Sequence, residues 1–173
     1  EAMKPVKENE VIADALLAVL AGIKSSGEYY QLSAKSEYGD SYKKLLLGYA
    51  SFVNKYPSEA IYQLGVRKNM WIQGEKLLQN WSVIEGSGLF SDSERAKIVR
   101  ALFLTCKANY LDNYLVRAPE SAPRWNHEIF PALSLVGSCN YFMNYYKFPE
   151  LTEWKSRGDR IFRGNTSYIS MDE

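Results

Sequence analysis

The sequence predicts an all-α fold of antiparallel helical hairpins, and three observations predict it. Apolar residues recur at helical spacing in segment after segment. The segments are separated by short links rich in Gly, Pro and Ser. Nothing between them reads as a run of strands. Successive helices joined by short links pack as antiparallel hairpins. No strict internal repeat of tetratricopeptide or ankyrin type is present. A bundle, an α-solenoid and an arc of an (α/α) toroid share this pattern, and periodicity alone does not choose among them.

The first helix is expected from Asn9 to Lys24, where Val11, Ile12, Ala15, Leu16, Val19, Leu20 and Ile23 form one apolar stripe. Ser25, Ser26 and Gly27 are stop signals, so Glu28-Tyr29-Tyr30-Gln31-Leu32-Ser33 reads as a loop or short turn. Asp40 can cap a second helix that carries Leu45, Leu46, Tyr49, Phe52 and Val53 inward and ends at Tyr56, before Pro57. Pro57 to Ala60 can begin a short third helix. A longer one is expected from Val66 to Glu85, ended by Gly86 and Gly88. Ser91-Asp92-Ser93-Glu94 is a capping box, and its helix is expected to reach Leu115. Arg117 to Arg124 is a break holding Pro119 and Pro123. Asn126 is expected to cap a helix reaching Tyr146, with Pro131 near its start. Pro149 starts the last helix, which carries Leu151, Trp154, Ile161 and Phe162 and stops at Gly164-Asn165. The tail to Glu173 reads as extended.

Composition narrows the function. With 173 residues of which 46% are hydrophobic, one core of ordinary size is available. Lys and Arg number 21 against 20 Asp and Glu, so there is no electrostatic footprint for nucleic acid. No apolar run of about 18 residues exists, which excludes insertion into a membrane by a spanning helix. A single His and two Cys without CxxC exclude a structural zinc site, and no metal or other cofactor is expected. Cys106 and Cys139 read as two small buried side chains; a disulfide does not follow from their presence. The unusual feature is 13 Tyr, 7 Phe and 4 Trp, since Tyr and Trp suit wet concave surfaces as well as cores.

The sharpest candidate site is Trp125-Asn126-His127-Glu128, at a helix start behind a Pro-bounded stretch. Helix N-termini carry partial positive charge and meet anions. A neutral His accepts a proton, and an Asn amide hydrogen-bonds a carboxylate. The plainer reading is an Asn cap followed by a first-turn His. Asn80 with Trp81, and Tyr30 with Gln31, are candidates for lining a sugar cleft, because aromatic faces stack on pyranose rings and amides bind hydroxyls. Core packing is the competing reading for Trp81.

Arg124-Trp125-Asn126-His127-Glu128-Ile129-Phe130-Pro131-Ala132-Leu133 resembles the Asn-His segment of helical polysaccharide lyases, the alginate-lyase and heparinase II/III-like groups built on (α/α) toroids. Asn140-Tyr141-Phe142, Tyr145-Tyr146, Pro149-Glu150 and Trp154 continue the likeness, and Gln79-Asn80-Trp81 with Phe90 to Arg95 extends it over residues 66–173. The resemblance implies β-elimination on an acidic polysaccharide or oligosaccharide by a secreted or periplasmic enzyme. It assigns Asn126 to neutralising the uronate carboxylate and His127 to the neighbouring place of base or stabiliser, a His or a Tyr removing the acidified proton in those families. Those families place the Tyr that protonates the leaving oxygen well downstream. Tyr168 is the tyrosine available for that role here, unless it packs on a neighbouring helix and the acid lies beyond Glu173.

Residues 1–173 are accordingly expected to form one helical domain, the N-terminal arc of an incomplete toroid. Its partner would be the remainder of its own chain, and the isolated arc is expected to be inactive. Two other functions fit the same sequence: a glycoside hydrolase on a similar toroid, and a non-catalytic glycan-binding helical scaffold.

Overall fold

A computed structural model describes residues 6–56, 71–111, 115–116 and 126–169. Six long helices carry the fold: α1 (Val6–Ser33), α2 (Ser36–Val53), α3 (Trp71–Ile84), α4 (Asp92–Tyr110), α5 (Asn126–Tyr145) and α6 (Glu150–Ile169). Among the described residues there is no strand, so the all-α expectation holds. Residues 57–70, 112–114, 117–125 and 170–173 lie outside the described residues. With them go the expected short helix at Pro57–Ala60, the Val66–Met70 start, the Pro-bounded break and the tail.

The helices form two layers. α1 packs on α3 and α3 on α5, while α2 packs on α4; α2 covers α1, and α6 covers α5. Direction follows from individual contacts. Gln31 near the end of α1 bonds Asn80 near the end of α3, and Trp81 bonds Tyr141 near the end of α5. The three C-termini therefore meet at one end of the array, and α1, α3 and α5 run parallel. Tyr38 at the start of α2 stacks on Tyr29 near the end of α1, and Lys43 in the first half of α2 bonds Glu94 near the start of α4, so α2 and α4 begin at that same end and run the other way. The core between the layers is made by Ile23, Tyr42, Leu46, Trp81, Ile98, Leu135 and Phe142, each fully buried.

Tertiary contact moves several helix boundaries. α1 continues through Ser25-Ser26-Gly27 and absorbs the stretch expected to be a loop. Ser26 is buried, and its hydroxyl donates to the Gly22 carbonyl at 2.7 Å, so its polar group is satisfied inside the helix it was expected to end. Gly27 serves close packing: a Cβ there would lie 2.8 Å from Asn80 Nδ2 and 3.0 Å from Tyr42 Cε2. The actual stop is Ala34, a left-handed residue at φ 53° whose N–H donates to Tyr30 O. α2 then begins four residues before Asp40, because Tyr38 stacks on Tyr29 and Gly39 sits against the Tyr30 ring. It ends at Val53, three residues before Tyr56.

The Ser91 capping box is present as expected, with the Ser91 hydroxyl accepting from Glu94 N–H and the Glu94 carboxylate accepting from Ser91 N–H. α4 ends at Tyr110 with Leu111 as its cap, earlier than Leu115; Leu115 is helical and fully buried. Lys43 reaches the same carboxylate at 2.9 Å and the Leu89 carbonyl at 2.8 Å, pinning the turn that passes Gly88 at φ +80°. The Lys43 hydrogen bond and the Ser91 backbone bond hold the Glu94 carboxyl down at about 2, against 4.5 for a free group. A lowered folded-state pKa means a contribution present above about pH 4.5 and lost as pH falls toward about 2. Glu94→Gln should lower the melting midpoint at neutral pH, and its gap to wild type should close between those two values in an acid titration of thermal melts. A gap that stays constant across that range would show the charge to be irrelevant.

α4 meets α6 through aromatic side chains. Phe103 and Tyr110 pack on Trp154 at 5.4 and 5.2 Å between centroids. Arg157 lies over the Tyr110 ring at 3.8 Å and donates to the Tyr110 hydroxyl, which itself bonds Glu153. α5 and α6 approach closely at Gly158, where a Cβ would lie 2.6 Å from Val136 Cγ2 and 3.2 Å from the Ala132 carbonyl oxygen. Helix propensity alone favours Gly158→Ala by about 1 kcal/mol, but overpacking costs about 1–3 kcal/mol. The second effect should win, giving a lower denaturant midpoint. In a Val136→Ala background the same change should cost less or turn stabilising. Equal cost in both backgrounds would place the strain elsewhere.

Candidate functional site

The residues singled out by sequence fall at two opposite ends of the array. Asn126 and His127 are the first two residues of α5. The helix takes in Asn126 itself, one position earlier than a cap at 126 requires. Their side chains, and all of Trp125, lie outside the described residues. Glu128, in the same first turn, is buried at 7% exposure. Negative charge is favourable at this end of a helix. By helical spacing position 126 lies on the face that carries Phe130 and Leu133, which are 36% and 38% exposed.

Tyr168 was expected in a loop after a helix ending at Gly164-Asn165. Instead α6 runs on to Ile169 and includes it. α5 and α6 pack on each other across the four-residue link 146–149, so the two helices are antiparallel, and Gly158 of α6 faces Ala132 and Val136 of α5. Tyr168 lies ten residues beyond Gly158, and Asn126 lies six before Ala132 and ten before Val136. Position 168 is therefore level with the N-terminal end of α5 or just beyond it. The Tyr168 side chain is outside the described residues.

The remaining candidates sit at the other end, roughly 22 Å away along α5 at 1.5 Å per residue. Gln31 and Asn80 are brought together: Gln31 Nε2 donates to Asn80 Oδ1 at 3.1 Å, and Asn80 Nδ2 donates to the Lys24 carbonyl at 3.0 Å. Asn80 is 6% exposed, so its amide ties α3 to α1. Tyr30 is half-buried with its ring against Gly39. Trp81 is 0% exposed, and the edge-to-face contact with Phe90 at 5.3 Å leaves neither ring face open to a sugar.

Around Trp81 the structure reveals a polar cluster for which the sequence offered little signal. Trp81 Nε1 donates to the Tyr141 hydroxyl at 2.9 Å, and that hydroxyl donates to Glu85 Oε2 at 2.7 Å. Burial, then the bond to Glu85, pushes the Tyr141 hydroxyl far above its ordinary pKa. Burial and the Glu85 charge do the same to Tyr42, whose hydroxyl is buried without a hydrogen-bond partner among the described residues. These phenols stay neutral donors across the physiological range. The available signal was that a buried Trp or Tyr requires a polar partner, and that Trp81 and Glu85 share a helical face at i, i+4.

In comparisons with protein-family models, curated proteins and solved structures, the chain finds no significant match. The site has to be read from its own geometry.

Two further features bound that reading. Among the described residues no group of three or more His, Cys, Asp or Glu is placed to hold a metal ion, and no helix is long and apolar enough to cross a membrane. A groove of about 410 Å³ runs between α1 and α2, walled by Ile12, Leu16, Val19, Leu45 and Phe52. The Tyr49 hydroxyl on its wall is spent on Thr105 at 2.7 Å, and burial lifts its pKa to about 12. Such an aliphatic trough offers little to hydrogen-bond a sugar hydroxyl. The α5 start, with position 168 at that same end of the array, remains the place where proton-transfer residue types gather.

Proposed function

We propose that this chain is an arc of an (α/α) toroid belonging to a secreted or periplasmic polysaccharide lyase, which cleaves a uronic-acid-containing polysaccharide by β-elimination. One observation carries the reading. Asn126 and His127 open α5 at its positive end, and position 168 of the antiparallel α6 lies at that same end of the array. The two-layer order of parallel helices is the arrangement that an arc of a toroid requires.

In this reading Asn126 and the α5 N-terminus hydrogen-bond the uronate carboxylate and stabilise the negative charge that develops on it. His127, in its neutral form, takes the proton from the carbon next to the carboxylate. The electron pair forms a carbon–carbon double bond, the bond to the glycosidic oxygen breaks, and Tyr168 supplies the proton that this oxygen needs. Trp81 and Asn80 belong to the supporting core, and Gln31 and Tyr30 to the α1–α3 and α1–α2 joints.

The test is ultraviolet absorbance of the conjugated, unsaturated uronate product, followed with a panel of uronic-acid polysaccharides. Growing absorbance supports elimination. New reducing ends without absorbance would replace the reading by a glycoside hydrolase, and saturable glycan binding without either product would replace it by a helical scaffold.

A further inference from the structure

α4 and α5 run antiparallel, and two contacts fix their register. At one rung Asn109 Nδ2 donates to Ser134 Oγ at 2.9 Å. Two turns away along the interface Phe103 meets Phe142 edge to face, with centroids 5.3 Å apart. Stepping back from Asn109 to Phe103 on α4 while stepping forward from Ser134 to Phe142 on α5 brings Cys106 opposite Cys139, midway between the two contacts. Both cysteines are free thiols at 0% exposure, and burial, then the neighbouring Cys139, raises the Cys106 thiol well above its ordinary pKa. Ser134 and Ser138, both buried and both small, let the helices approach closely here.

We propose that Cys106 and Cys139 are a redox pair that closes into a disulfide stapling α4 to α5 when the chain folds under oxidising conditions. The bond joins the two sulfurs. The two thiols give up two protons and two electrons to a small-molecule disulfide such as oxidised glutathione, which leaves as two thiols. A thiolate is the attacking species, and burial disfavours it on Cys106. Exchange therefore belongs to the folding chain, before α4 and α5 dock, and is slow once they have docked. The crosslink spans a long stretch of sequence, so it restricts the unfolded chain strongly.

The experiment is refolding of the chain with oxidised glutathione or with excess reductant, then alkylation in denaturant and intact-mass measurement. The oxidised sample should be lighter than the reduced chain by two hydrogen atoms and take up no label. Its melting midpoint should rise by roughly 10 °C, reversed by reductant. Cys106→Ala and Cys139→Ala, refolded in the same oxidant, should each show no rise. Two labels on the oxidised chain, glutathione adducts in place of an internal bond, or a crosslinked chain that melts lower than the reduced one would overturn the proposal.

Discussion

Trp81→Ala is expected to lower folding stability by about 3–5 kcal/mol. That is a large share of the roughly 5–15 kcal/mol that ordinary domains possess, so the variant should melt far earlier or fail to accumulate. Trp81 is 0% exposed near the C-terminal end of α3 and packs edge to face on Phe90. Its removal leaves a cavity between α3 and its neighbours, and it withdraws the N–H that orients the Tyr141 hydroxyl toward Glu85. Trp81→Phe separates the two effects, keeping most of the volume while losing the donor. Combined with Tyr141→Phe in a double-mutant cycle, it should show a coupling of about 0.5–3 kcal/mol. Denaturant unfolding reads all four proteins. A Trp81→Ala variant as stable as wild type would mean that the ring is not in the core.

His127→Ala is expected to lower the rate of unsaturated-product formation by about 10²–10⁴, the range that positioned general bases contribute. Asn126→Ala should lower it by about 10²–10³, as loss of a donor to a developing negative charge does. The mechanism requires the two to behave differently with pH. The His127 variant should lose the acid limb of the rate profile, since wild type needs a neutral imidazole, whereas the Asn126 variant should keep it. Thermal melts of both should stay close to wild type. Wild-type elimination rates in both variants would remove the lyase reading altogether.

The helical character of the chain was legible in the sequence because it rests on local, periodic information. The apolar stripes of α1 and α2 and the Ser91–Glu94 capping box each act within a few residues of chain; the capping box is present, and α1 buries Leu16, Leu20 and Ile23 of its stripe while Val11 and Ala15 are exposed. Boundaries were less legible. Ser26 and Gly27 are stop signals to local chemistry, yet the helix continues, because Asn80 and Tyr42 from distant parts of the sequence close on Gly27. Ala34 ends α1 in a left-handed conformation that an alanine does not advertise.

The candidate site shows the same division. The residue types of Asn126-His127 and their place at a helix start were visible without any structure. The position of Tyr168 at that same end of the array was not, since it depends on Gly158 letting α6 settle against Ala132 and Val136. Nor could sequence say that Asn80 and Trp81 point inward, or that Trp81, Tyr141 and Glu85 form one hydrogen-bonded chain. What the sequence by itself determined was the all-α class, the apolar faces and the start of α4, all set by periodicity and by hydrogen bonds within a turn. The tertiary structure alone decided where α1 stops, which aromatic residues become core, and which residues share an end of the array. Those outcomes depend on contacts between residues dozens of positions apart, and the spacing of side chains along one helix carries no record of them.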